Sequence, residues 1–280
     1  MAQIKYKRVL LKLSGESFCK PGGFGIEGEA LESIAERIVQ ICKLGPQVAI
    51  VVGGGNFLRG EAFSKESHIP QNTADYMGML ATVINACALQ ETLERLGQPT
   101  RVLSAIEVAA ICEPFIRRRC LRHLEQGRVA ILAGGTGNPF FSTDTCAALR
   151  AAELDSDVII KATKVDGVYT DDPMKNPEAK LMKKLSYDEV LHRGLRVIDP
   201  AAISLCSENN IPIVVLNIFK KGNITKAIYG EDIGTLISQG SVRKDSQGEI
   251  RGQKSEVRRQ KTENRIKAQE EEDGFLSSQE

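Results

Sequence analysis

Short runs of β-branched residues and leucines alternate along this chain with longer stretches whose apolar residues recur at helical spacing. Residues 8–15, RVLLKLSG, read as a buried strand running into a glycine turn. Residues 30–43 place Leu31, Ile34, Ala35, Ile38, Val39, Ile41 and Cys42 largely on one helical face, and Gly45-Pro46 stop the helix. A strand over 47–52 then enters three glycines. The alternation predicts helix 73–96, strand 101–105, helix 114–126 with a basic face, strand 128–135, helix 143–153 and strand 157–163. Helix 199–209, strand 211–217 and a last strand over 234–237 complete it. Strands and helices in this order predict an α/β fold with a largely parallel central sheet covered on both faces.

The pattern ends after Ile237. Residues 241–280 hold 18 charged side chains among 40, nine of each sign, with few apolar ones. That composition reads as a disordered or loosely helical tail, with a partner-binding tail as the alternative. The expected division is a folded 1–240 and a charged 241–280.

A chain of 280 residues, 42% hydrophobic and 26% charged, can bury a sizeable core without covalent staples. Its net charge of +1 offers no global attraction to nucleic acid or to an anionic membrane. Arg117, Arg118, Arg119 and Arg122 make one basic helix face, for which a solvated or interface surface outweighs a DNA contact. No stretch approaches the roughly 20 apolar residues of a membrane span. The apolar run from Val9 to Leu13 is too short for a secretory leader and contains Lys12. Seven cysteines without a CxxC pair read as reduced core thiols of a cytoplasmic protein. His68, His123 and His192 lack the close spacing of metal ligands.

The candidate chemistry lies at three strand ends: KLSGES (residues 12–17), GGGNFLRG (53–60) and GGTGNPFFSTD (134–144). Ligands of parallel sheets bind at the carboxyl ends of the strands, where glycines let backbone N–H groups approach phosphate oxygens. A helix following each turn adds a positive dipole end. Lys12 interrupts one apolar strand just before its turn, and Lys161 interrupts another, followed by Lys164. A lysine in a central strand is costly unless it meets an anion or snorkels to water. With Arg59 after the second turn, the set reads as a polyphosphate site. Neither GxxxxGK[ST] nor a complete GxGxxG is present, which excludes a P-loop and disfavours a dinucleotide fold. The acidic stretch VDGVYTDDP offers nucleotide contacts from Tyr169 and Asp172, or an ordinary acidic turn.

KLSGE, GGGNFLRG, DYMGMLATVINA, GTGNPFFSTD and KATKVDGVYTDDP, in that order, resemble the bacterial UMP kinases of the amino-acid-kinase fold family. The resemblance runs from Lys7 to Ile237. It implies a three-layer α/β/α sandwich, transfer of the ATP γ-phosphoryl to UMP with Mg²⁺, and a homohexamer built as a trimer of dimers. It also implies inhibition by UTP, and activation by GTP through the segment Lys20, Pro21, Gly22, Gly23, Phe24 and Gly25. Carried over, Lys12, Leu13, Ser14 and Gly15 touch the ATP phosphates, Gly54 meets UMP, Gly55 meets ATP, and Arg59 lies by the transferred phosphoryl. Asp75 holds the UMP ribose, while Thr136, Gly137, Asn138, Pro139, Phe140, Phe141, Ser142 and Thr143 wrap the base and phosphate. Thr163, Tyr169 and Asp172 line the ATP side. Phe140 and Phe141 shape and dry the pocket, or one of them packs into the core. Lys12, Arg59 and Lys161 offset phosphate charge. Asp144 orients the two lysines or holds Mg²⁺ through water, or it is a helix cap or first-turn acid. The rivals are a carboxylate-phosphorylating kinase of the same fold and a non-catalytic nucleotide-binding or storage protein.

Overall fold

β1 (Arg8–Leu13) passes through one 3₁₀ turn (Gly15–Phe18) to α1 (Gly28–Cys42), and β2 (Gln47–Val52) leads to α2 (Gly60–Glu66) and the long α3 (Gln71–Arg95). β3 (Thr100–Ser104), β4 (Glu113–Pro114), α4 (Arg117–Glu125), β5 (Val129–Ala133) and α5 (Thr143–Glu153) follow. Then come β6 (Val158–Thr163), β7 (Val168–Tyr169), β8 (Leu181–Met182), β9 (Lys184–Ser186), α6 (Tyr187–His192) and α7 (Pro200–Asn209). β10 (Ile213–Asn217), α8 (Asn223–Tyr229) and β11 (Thr235–Ser238) complete the chain's elements. This computed structural model describes residues 3–20, 22–171, 175–176, 178–195 and 197–240. Pro21, Asp172 and the charged segment 241–280 lie outside the described residues. Contacts group Met1–Gln239 into one compact unit, which carries all of these elements.

The main sheet has nine strands in the order β4-β3-β5-β2-β1-β6-β10-β11-β9. Every pairing is parallel except β10 with β11. β7 and β8 form a separate antiparallel pair. The central strands are buried on both faces, which is why they read as near-continuous apolar runs. Alternate residues divide the core. Val9, Leu11 and Leu13 pack with Ile34 and Ile38 of α1, Leu89 and Leu93 of α3 and Ile228 of α8. Leu10, Ala49 and Val51 pack with Leu124 of α4, Ala147 and Ala151 of α5, and Ile203 of α7. The result is the three-layer sandwich, with both helical layers held by apolar burial at roughly 25 cal/mol per Å² removed from water.

The sequence-predicted strand 47–52 and helix 143–153 have those bounds in the structure. The basic helix expected from 114 starts at Arg117, because Glu113–Pro114 pair with β3 at the sheet edge, where a proline costs no ladder bond. The elements with no sequence expectation are short: α2, α6, α8, β4, β7, β8 and β9. One of them carried a readable signal. Ser186 and Glu189 form a capping box at the start of α6, the S-x-x-E pattern.

Candidate active site

Parallel strands point their carboxyl ends the same way, so the turns after β1, β2 and β5 meet on one edge of the sheet. A cavity of about 460 Å³ opens there, lined in part by Lys12, Gly15, Gly54, Arg59, Asp75 and Phe140. The first two turns pack backbone against backbone. A Cβ on Gly15 would run into the Gly55 nitrogen and Asn56 Oδ1, and one on Gly54 would meet the Gly78 carbonyl oxygen of α3 at 2.6 Å. These contacts, more than free rotation, explain why glycine is required at both places.

The two strand lysines converge. The β1–β6 register sets Lys12 directly beside Lys161, and both point to the face covered by α5 and α7. Asp144, in the first turn of α5, reaches between them: Oδ1 lies 2.7 Å from Lys12 Nζ and Oδ2 lies 2.5 Å from Lys161 Nζ. Lys161 also donates to the Val197 carbonyl oxygen at 2.5 Å. Lys12 is 7% exposed, so it does not snorkel away from the site. Burial works against the Asp144 carboxylate, but the two ammonium groups outweigh it and hold its pKa below the usual carboxylate range. Burial also pushes the Lys161 ammonium below the usual lysine value, against the pull of Asp144 and with the push of Lys12.

The loop after β5 forms the opposite wall. Ser142 is the N-cap of α5, accepting from the backbone N–H groups of Asp144 at 3.0 Å and Thr145 at 3.1 Å. The cap is therefore Ser142, while Asp144 sits two residues further in, as an acid of the first turn. Phe140 is 70% exposed and Phe141 56%, so neither ring packs into the core and both line the cavity. Phe140 has a φ of 69°, a left-handed conformation in which its N–H donates to Asp75 Oδ2 at 2.9 Å. Thr136 lines the cavity with Ser142 and Thr143. Gly137, Asn138 and Pro139 form the loop's bend outside that lining, with the Asn138 N–H donating to Thr136 Oγ1 at 3.2 Å.

The other expected residues divide between the cavity and its surroundings. Leu13 is fully buried in the core, leaving only its backbone at the turn, where its carbonyl accepts the Gly53 N–H at 2.8 Å. Ser14, Gly55 and Arg59 line the cavity, and Arg59 forms an ion pair with Glu16. Thr163 ends β6 and donates to the Val165 carbonyl at 2.6 Å, and Tyr169 pairs with Leu181; neither lines the cavity. Asp144 and Lys161 line a second cleft, about 590 Å³, under α6 and α7. In the segment 20–25, Lys20 faces Glu27 at 3.7 Å and the exposed Phe24 meets Phe57 edge-on. Gly22 and Gly23 form the turn between them, and Gly25 donates to the Asn56 carbonyl at 2.9 Å. The expectation of a helix after each turn also needs correction. Only a single 3₁₀ turn follows β1, because α1 starts at Gly28; α2 and α5 follow the other two turns.

Sequence reading missed several supports. Thr82 of α3 accepts the Gly134 N–H at 2.8 Å. Asp199 accepts the Ser142 hydroxyl, the Thr145 hydroxyl at 2.9 Å and the Ala202 N–H at 2.9 Å, tying the starts of α5 and α7 together. The Asp-Pro pair at 199–200 is a readable helix start, but its link to Ser142 is not local. The seven cysteines are all free, and burial pushes Cys146 up to about 11 and Cys206 to about 12, which leaves them as core thiols and not nucleophiles.

Glycine turns, a lysine pair bridged by one carboxylate and a cavity of about 460 Å³ at the strand ends define a phosphate-handling α/β protein. The chain matches the amino acid kinase family over residues 7–217, and it belongs to that family. It is similar to the UMP kinase of Bacillus anthracis, with 40% identity and a TM-score of 0.81 over 84% of this chain and 97% of that one. The UMP kinase of Ureaplasma parvum shares 36% identity and a TM-score of 0.78, over 84% and 100%. The uridylate kinase of Archaeoglobus fulgidus shares 29% identity and a TM-score of 0.63, over 82% and 99%.

Proposed function

We propose that this chain is a cytoplasmic UMP kinase of pyrimidine nucleotide synthesis, transferring the γ-phosphoryl of ATP to UMP. The observation that carries the reading is the Lys12–Asp144–Lys161 cluster standing beside the cavity of Asp75 and the 134–144 loop. Likeness to UMP kinases at 40% and 36% identity supports the choice of acceptor. In the reaction a phosphate oxygen of UMP attacks the γ-phosphorus. A new P–O bond forms, the bond to the β–γ bridging oxygen breaks, and ADP leaves with its electrons. The nucleophile is already anionic, so no protein base is needed. Lys12, Lys161, Arg59 and the glycine N–H groups offset the charge shared by donor and acceptor. Asp144 keeps the two ammonium groups side by side and aimed.

Magnesium accompanies ATP in such reactions and would supply positive charge against its phosphates. Among the described residues no group of three or more His, Cys, Asp or Glu side chains could hold a metal ion. Both Asp144 oxygens are taken by lysines. The described side chains therefore do not fit a protein-built metal site, and the ion belongs to the MgATP substrate.

ADP release from MgATP, compared across UMP, CMP, dUMP and AMP, tests the assignment. UMP-dependent release is expected, and its absence would reject the enzyme reading. Asp75→Ala should raise KM for UMP several-fold while KM for ATP stays near the parent's, as expected for a residue touching one substrate only. Equal rises in both would remove the ribose assignment. Initial rates with added UTP and GTP test the proposed inhibition and activation.

We also propose the homohexamer. Tyr76, Met77, Leu80 and Ile84 leave an exposed apolar stripe along α3, and stripes of this kind mark association surfaces. A monomer mass in solution would overturn it. Among the described residues no helix is long and apolar enough to cross a membrane.

A further inference from the structure

We infer that Asn56 and Asn85 are positioning residues for phosphoryl transfer, a reciprocal amide pair that pins both ends of the glycine turn at residues 53–56. This rests on the UMP kinase reading above. Asn56 Nδ2 donates to Asn85 Oδ1 at 2.9 Å, and Asn85 Nδ2 donates to Asn56 Oδ1 at 2.7 Å. The remaining amide hydrogens also have partners. Asn85 donates to the Gly53 carbonyl at 2.7 Å, and Asn56 donates to the Gly25 carbonyl at 2.7 Å. Asn56 is 3% exposed and Asn85 0%, so no water replaces a lost partner cheaply. All four amide hydrogens are used, and moving one member strands another.

The pinned segment is the one that most needs it. Three consecutive glycines carry no side chain that could bias their backbone, yet Gly54 and Gly55 line the cavity. Catalysis by backbone donors requires them to be aimed before the reaction starts. The amide pair supplies that aim from outside the turn, gripping it at Gly53 and at Asn56. It touches no cavity residue's charge. Its effect reaches Lys12 through the backbone: Gly53 donates to Leu13, and Gly15 is wedged against Gly55 and Asn56. An apolar pair of the same volume would fill the core equally well but aim nothing. On α3, Asn85 lies one turn beyond Thr82, which holds Gly134. One helix face thus anchors two of the three cavity turns.

The test compares Asn85→Asp, Asn85→Leu and Leu93→Ala, the last a buried truncation at the far end of the same helix. Per folded molecule, judged by circular dichroism, kcat for UMP-dependent ADP release should fall roughly 10- to 100-fold in both Asn85 variants. KM for UMP and ATP should move less than about threefold, because misaim weakens the transition state more than the bound substrates. Leu93→Ala should lower Tm and leave kcat within about twofold. In Asn85→Asp, kcat should rise as pH falls, because the protonated carboxyl can donate to the Gly53 carbonyl and the ionised one cannot. Asn85→Leu should lack that rise. A purely structural role predicts lowered Tm with kcat within about twofold in every variant, and that result overturns the inference. So does a flat pH response in Asn85→Asp. If neither variant folds, Asn85→Ser, too short to reach Gly53, is judged by the same kcat and KM criteria. A parent inactive on UMP would instead reject the acceptor, and the same variants would then be read with whichever acceptor in the panel supports ADP release.

Discussion

Lys12→Ala should lower kcat at least about 10²-fold while the protein still folds, judging by the cost of removing one preorganised charge-stabilising donor. Lys12 is buried, and its ammonium meets Asp144 at 2.7 Å at the edge of the cavity. In the proposed reaction its loss removes one of the three positive side chains, Lys12, Lys161 and Arg59, that offset the anionic donor and acceptor phosphates. Folding survives for a specific reason: Asp144 keeps its contact with Lys161 at 2.5 Å, so no carboxylate is left buried alone. The missing side chain leaves a gap beside an open cavity that water can enter. Steady-state kinetics and thermal melting on the same sample separate the two effects. Turnover near the parent's would end the assignment of Lys12 to the reaction.

Asp144→Asn should do more damage to stability. It keeps the shape of the side chain but leaves Lys12 and Lys161, neighbours in register, with two positive charges and no anion between them. Removing one partner of a buried ion pair costs on the order of 3–5 kcal/mol, and here one carboxylate serves two lysines. The pH dependence follows from the directions of the shifts. The Asp144 pKa is depressed in the folded state. Its contribution to stability is therefore fully present above the unfolded carboxylate value of about 4 and is lost as pH falls through the folded-state value. The stability gap between parent and variant should accordingly narrow in acid. Lys161 is already depressed by burial, against the attraction of Asp144. Without that attraction it should lose its proton at lower pH, so the basic limb of the kcat profile should move to lower pH in the variant. Melting curves and kcat across pH read both effects. A basic limb at the parent's position would show that Asp144 does not set the charge of Lys161.

The parts of the fold legible in the sequence were those with local causes. β2 reads as a strand because five of its six residues are buried, on both faces, and α5 reads as a helix because Ser142 caps it ahead of a periodic run. The elements that escaped notice owe their form to distant partners. β9 exists because Lys184, Leu185 and Ser186 pair with β11 some 50 residues later, and β4 because Glu113 pairs with Leu103. α8 is seven residues long between Gly222 and Gly230, both in left-handed conformation, and is too short to signal itself by periodicity. In the site, Lys12, Arg59 and the 134–144 loop were recognisable as residue types at strand ends, while Asp75, which lies inside α3, was marked only by the family resemblance. Thr82, Asn56, Asn85 and Asp199 were not, because a polar residue inside a helix or loop announces no partner.

Sequence alone determined that this is an α/β chain with lysines inside two apolar strands beside glycine turns. Burial on both sheet faces writes apolar runs into the chain, and a charge inside such a run stands out whatever its neighbours. What only the tertiary structure decided is that the two lysines are one feature. Lys12 and Lys161 are 149 positions apart, and their adjacency is a matter of strand order and register, in which a one-residue slip would turn one of them to the opposite face. Asp144 comes between them because α5 packs across β1 with its first turn at the strand ends. That is a property of helix-on-sheet packing, which no local pattern encodes.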